Sequence, residues 1–215
     1  VPVHRVTTQR GEFGEPGRRR RPIQEKVETD ILPDAAETLA ESLAASGYDT
    51  AAFVANPWVR RNYGFAQGFA EFDDRHVAND TPAERILDAA RAWLGARDAE
   101  RPFFLYLHFM DVHDPYDAPE EDVAALRASE SLGADRALER RELPAGMMTG
   151  MRSRRIEWID SDAALSLREW RARYAAGVRA FDRRFAGFLD ELRASGQLDH
   201  TAIVFTSDHG EELFE

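Results

Sequence analysis

Apolar positions recur along the chain with two periods. From Asp34, Ala36, Leu39, Ala40 and Leu43 fall on one helical face, and Gly47 is a C-terminal cap. Thr50-Ala51-Ala52-Phe53-Val54-Ala55 then reads as a short buried strand ended by Asn56-Pro57. Residues 62–74, NYGFAQGFAEFDD, form a glycine-punctuated aromatic loop. Thr81 and Glu84 have capping-box spacing with Pro82 at the first helical position, and Ile86, Leu87, Ala90, Trp93 and Leu94 form the apolar face that follows. Pro102 leads into the near-continuous apolar run Phe103–Met110, the pattern of a strand covered on both faces. Residues 119–165 are rich in Ala, Arg and Glu and poor in large apolar groups, which predicts an inserted, partly helical excursion. Ser166 and Glu169 open a long helix to about Ser195. Its stripe of Trp170, Tyr174, Val178, Phe181, Phe185, Phe188, Leu189 and Leu192 is core packing, and Gly196 ends it. Thr201–Thr206 reads as a third strand. Residues 1–31, broken by Gly11, Gly14, Pro16, Gly17 and Pro22, read as an irregular loop. Helices alternating with apolar strands predict an α/β fold, a mainly parallel sheet flanked by helices.

Composition narrows the function classes. With 215 residues, 43% hydrophobic and 31% charged, the chain can bury a real core. No apolar run approaches the ~18 residues of a membrane span. The absence of cysteine removes disulfides, thiolate metal sites and a cysteine nucleophile from this stretch. Thirty-nine acidic against 28 basic residues give a net charge of -11, which argues against a nucleic-acid partner. The run Arg18–Arg21 is accordingly read as a solvated loop.

Each predicted strand ends in polar residues: Asn56 after the first, Asp111 and His113 after the second, Asp208 and His209 after the third. In open parallel sheets, ligands bind outside the carboxyl ends of the strands. Asn56 and Asp111 are therefore candidate substrate-binding residues. In Asp208-His209-Gly210, a carboxylate and an imidazole can turn onto one cation; an N-cap Asp beside a surface His is the other reading. His113, in Asp-Val-His-Asp-Pro-Tyr, sits on a loop leaving a strand, where a proton donor or anion contact is well placed. His108, inside the apolar run, reads as a hydrogen-bonded core histidine. Asp73-Asp74 reads as a solvated turn rather than a metal pair. His4, His76 and His200 have no supporting context.

Four segments, LPDAAETLAESLAASGYDTAAFVAN, YGFAQGFAEFDD, RPFFLYLHFMDVHDPY and RYAAGVRAFDRRFAGFLDELRASGQLDHTAIVFTSDHGEEL, resemble the sulfatase family of the alkaline-phosphatase-like superfamily, from about Leu32 to Glu215. The resemblance implies an alkaline-phosphatase-like fold, incomplete at both ends, with residues 1–215 part of a single catalytic domain. It implies that Asp208 and His209 bind one divalent cation (Ca, Mg or Mn) and that His113 contacts the ester or leaving-group oxygen. The family's formylglycine nucleophile, made from Cys or Ser in a C/S-x-P-x-R motif, has no usable copy here and is expected upstream, so this stretch alone is expected to be inactive. Many sulfatases follow the first strand with Gly-Lys-Trp-His. Here that stretch is Val54-Ala55-Asn56-Pro57, without the Lys and His. The implied activity is hydrolysis of small-molecule or glycan sulfate esters. Phosphonate or phosphate ester chemistry on the same scaffold, and a non-catalytic binding module, are the alternatives.

Overall fold

The computed structural model describes residues 31–75, 81–143, 156–211 and 213. The irregular loop read over residues 1–31, the arginine run, His4 and His76 lie wholly or almost wholly outside them. Residues 34–36 form a turn, and helix α1 spans Leu39–Ala45. Its start is a true capping box: the Glu41 N–H donates to the Thr38 hydroxyl (3.1 Å) and the Thr38 N–H to the Glu41 carboxylate (2.8 Å). Bonds from Gly47 to Ala44 O and from Tyr48 to Leu43 O close its other end. Only Ala40 of this helix is buried; Leu39, expected on the apolar face, points to solvent.

Strand β1, Asp49–Val54, is the centre of a three-stranded parallel sheet. On one side it pairs β2, Glu71–Asp73, and on the other β3, Phe103–His108, with Val54 opposite His108. β2 lies inside the expected aromatic loop. The buried Thr50 ties that loop down: its hydroxyl donates to Gly68 O (2.7 Å) and accepts from the Ala70 N–H (2.9 Å). Gly68 has φ +80°, and a Cβ there would lie 2.1 Å from the Glu41 nitrogen, so only glycine permits this approach to α1.

Helix α2, Ala83–Ala96, packs Ile86, Leu87, Ala90 and Leu94 over Ala51 and Phe53 of β1. It starts with Pro82 rather than Thr81 as N-cap, and Glu84 pairs with Arg184 instead of completing a box. β3 is less covered than expected. Phe103, Leu105 and Leu107 face the α2 core, but Tyr106 on the other face is 36% exposed and no β3 residue is fully buried.

Residues 119–165 hold helix α3, Glu120–Arg127, and short 3-10 turns at Glu130–Leu132, Glu157–Asp160 and Asp162–Leu165. Helix α4, Leu167–Ala194, is about 42 Å long at 1.5 Å per residue. Ser166 caps it by accepting from the Glu169 N–H (3.1 Å). The Glu169 carboxylate does not return to the cap; it accepts from Arg127 and Arg173. The α4 stripe serves two cores. Trp170 packs edge-on to Trp158 (4.9 Å) and Tyr116 (5.9 Å) within the excursion, while Phe181, Phe188 and Leu192 join the α2–sheet core. Val178, expected within the stripe, is 43% exposed.

The expected third strand is a correction. Thr201–Thr206 pairs with no strand among the described residues, and Ile203, Val204 and Phe205 are 45, 90 and 70% exposed. The Phe205 ring lies 6.2 Å from Phe181 and 6.0 Å from Phe185. An apolar run has the propensity of a strand, but a strand exists only where a ladder partner takes its backbone groups. Among the described residues, no helix is long and apolar enough to cross a membrane.

Candidate functional site

Because the sheet is parallel, the ends of its strands open onto one edge. Asn56 leaves β1 there. Its Oδ1 accepts the Trp58 N–H (2.8 Å), and its Nδ2 lies 3.4 Å from Nε2 of His108, the last residue of β3. His108 is half-buried, and its Nδ1 is buried without a hydrogen-bond partner among the described residues. Burial pulls the imidazole below its usual pKa, with the charge of Asp208 acting in the opposite sense. His108 therefore belongs to the polar edge, not to a satisfied core. Its place at the end of a strand was the sequence signal that could have shown this.

Asp111 turns the other way. Its Oδ1 accepts the N–H of Ala83, the first residue of α2, at 3.1 Å, and lies 3.4 Å from Arg184 Nη1. It acts as the helix cap that Thr81 was expected to supply. Burial raises its pKa, opposed by the bond from Ala83 and by Arg184. α4 comes close to this loop at Gly177, where a Cβ would meet Asp111 O at 3.3 Å.

His113 follows on the same loop. Its Nδ1 is 2.8 Å from the Asp114 carboxylate and 3.0 Å from the Asp114 carbonyl. Both oxygens are acceptors, so Nδ1 carries the proton and Nε2 is left for another partner. The bond to Asp114 raises the His113 pKa, against desolvation, with Glu211 adding in the same direction. Two residues on, Tyr116 holds a left-handed backbone (φ 52°), a strained state for a non-glycine residue, and is 2% exposed. Burial pushes its phenol pKa far up, and Glu211 adds to the effect. The charge of Glu211 thus acts on the His113 loop, as that of Asp208 acts on His108.

Asp208 and His209 are both exposed, with Asp208 Oδ1 3.8 Å from His209 Nε2. The His209 Nδ1 lies 2.7 Å from Gly210 O, which fixes its proton on Nδ1 and leaves a lone pair on Nε2. A carboxylate and an imidazole presented this way fit a share of a divalent cation's shell. The described residues contain no cluster of three or more metal-ligating side chains. Asp73, buried at the end of β2, is held by Arg75, and Asp74 by the Arg61 N–H and Arg60, so the pair is a salt-bridged strand end rather than the expected solvated turn. His200 is exposed at a 3-10 turn after α4.

The chain matches the family model described as Sulfatase over residues 16–215. It is 26% identical over 166 residues to an arylsulfatase of Clostridium perfringens, covering 74% of this chain and 30% of that protein. It is 29% identical over 145 residues to an uncharacterized sulfatase of Schizosaccharomyces pombe, covering 60% of this chain and 25% of that protein. It is 33% identical over 141 residues to the multifunctional alkaline phosphatase superfamily protein PehA of Trinickia caryophylli, covering 59% and 26%. Among solved structures it is similar to the lipoteichoic acid synthase LtaP from Listeria monocytogenes, with a TM-score of 0.41, 17% identity, and coverage of 74% of this chain and 33% of that one. The chain spans no more than a third of the length of these relatives.

Proposed function

The chain belongs to the sulfatase family, and on that premise we propose that the protein is a metal-dependent sulfate ester hydrolase, with residues 1–215 part of its catalytic domain. The observation that carries this reading is the meeting of Asn56 and His108 at the carboxyl edge of one parallel sheet, where the charge of Asp208 acts on the His108 ring. Asp208 and His209 contribute two of the roughly six donors a hard cation takes. When bound, a Ca, Mg or Mn ion would polarise the ester's oxygens and stabilise the charge that develops on them. Asn56 offers an amide N–H to an anionic oxygen of the substrate. His113 keeps Nδ1–H on Asp114, which raises its pKa, and holds a proton at Nε2 for the departing alcohol. The attacking formylglycine would come from upstream of these residues, and this stretch by itself would not turn over substrate.

Phosphonate or phosphate esters are the second reading. It is supported by Ala55 and Pro57 standing where many sulfatases have Lys and His, and it fits the likeness to a relative named as a multifunctional protein of the alkaline phosphatase superfamily.

The test divides the labour in the active protein. Asp208→Ala is expected to lose metal and turnover together. His113→Ala is expected to keep its metal and lose about 10²–10⁴-fold in rate on an alkyl ester, with a much smaller loss on a nitrophenyl ester that needs little protonation. Metal loss in His113→Ala, or equal losses on both esters, would remove the leaving-group role. Comparing nitrophenyl sulfate with nitrophenyl phosphonate separates the two readings.

A further inference from the structure

The Asn56–His108 pair fixes a proton without any hydrogen being seen. The Trp58 backbone N–H can only donate, so the Asn56 atom 2.8 Å from it is the carbonyl oxygen. The other end of that amide is then NH₂, which can only donate. The His108 Nε2 at 3.4 Å must accept, and a neutral imidazole that accepts at Nε2 carries its proton on Nδ1. The His108 Nδ1 is buried with no partner among the described residues, so none of them gives this nitrogen a second anchor. The carboxamide is thus gripped at both ends, oxygen by Trp58 and nitrogen by His108, and its second amide N–H has no hydrogen bond among the described residues.

We propose that His108, in its Nδ1–H tautomer, is a positioning residue that clamps the Asn56 carboxamide so that its remaining N–H is presented to an anionic oxygen of the ester. This rests on the ester-hydrolase reading for the identity of the anion, but not for the clamp. An amide rotates freely about its side-chain torsions in water; here both of its ends are spent, so the donor is aimed before substrate arrives. Burial lowers the His108 pKa, which favours the neutral ring that can accept. The N–H would meet the ester oxygen in ground state and transition state alike, so its loss appears in KM rather than kcat.

Two measurements test it. In protein labelled with ¹⁵N-histidine, the His108 ring signals, assigned by their loss in His108→Gln, are expected to show a protonated Nδ1 and a bare Nε2 at neutral pH. A protonated Nε2 overturns the clamp. In steady-state kinetics, Asn56→Ala and His108→Ala are each expected to raise KM about 10- to 100-fold with kcat little changed, as for a lost hydrogen bond to a charged group. The double variant is expected to be no worse than Asn56→Ala, because the two residues act as one. Additive losses, or losses confined to kcat, overturn it. The tautomer is read without turnover, so a protein that carries the upstream nucleophile and is inactive on every ester tested would refute the hydrolase reading and leave the clamp to be decided by its own signal.

Discussion

Asp111→Ala separates a structural carboxylate from a substrate-binding one. Asp111 Oδ1 accepts the Ala83 N–H at 3.1 Å, and Ala83 is fully buried, so no water can replace the lost acceptor. Leaving a buried N–H unpaired costs about 1–3 kcal/mol. Loss of a negative charge at the N-terminus of α2 adds about 0.3–1 kcal/mol. The Arg184 contact is long (3.4 Å) and Arg184 keeps Glu84, so its share is small. Working against these, burial raises the Asp111 pKa, so keeping the group ionised already costs stability once the pH passes its folded pKa. The net loss is about 2 kcal/mol, and for a protein of this size about 4–8 °C in melting temperature. Asp111→Asn keeps an acceptor for Ala83 and sheds the ionisation penalty, so it is expected to lose less than about 1 kcal/mol. Thermal unfolding followed by circular dichroism at pH 7 reads the stability, and KM on the ester reads binding. If Asp111→Ala melts with the parent protein while KM rises, the cap assignment is wrong and the residue serves the substrate.

The His113 pKa is raised chiefly by its bond to Asp114, so the pair stabilises the fold fully below the ordinary histidine range and loses that contribution as pH rises through the raised value. Asp114→Asn is expected to lower the His113 pKa in an NMR titration and to move the basic limb of kcat/KM to lower pH; an unmoved limb would mean that His113 is not the proton donor. Within α4, Gly187→Ala enters open space and is expected to gain about 0.5–1 kcal/mol of stability. Gly177→Ala brings a Cβ to 3.3 Å from Asp111 O and is expected to forfeit that gain in urea unfolding; equal gains would show that α4 does not press on the His113 loop.

Local chemistry alone determined much of this protein. The Ser166 cap and the Gly47 terminator are satisfied within a few residues, so their helix ends were legible, as were the apolar runs of β1 and β3. The sulfatase family itself was legible from the order and spacing of the four segments. What sequence reading missed depends on partners far along the chain. β2 is three residues long and exists because Ala51–Phe53 offers it a ladder, while Thr201–Thr206, with a stronger strand pattern, finds none among the described residues. Thr81 was the local candidate for capping α2, yet the cap comes from Asp111, 28 residues after Ala83. His108 reads as core from its apolar neighbours, and only the parallel register that sets Val54 opposite it brings the Asn56 amide, 52 residues earlier in the chain, onto its ring. Propensity and periodicity act over a few residues, whereas hydrogen-bond partners for buried polar atoms are assigned by whatever the fold brings within 3.5 Å.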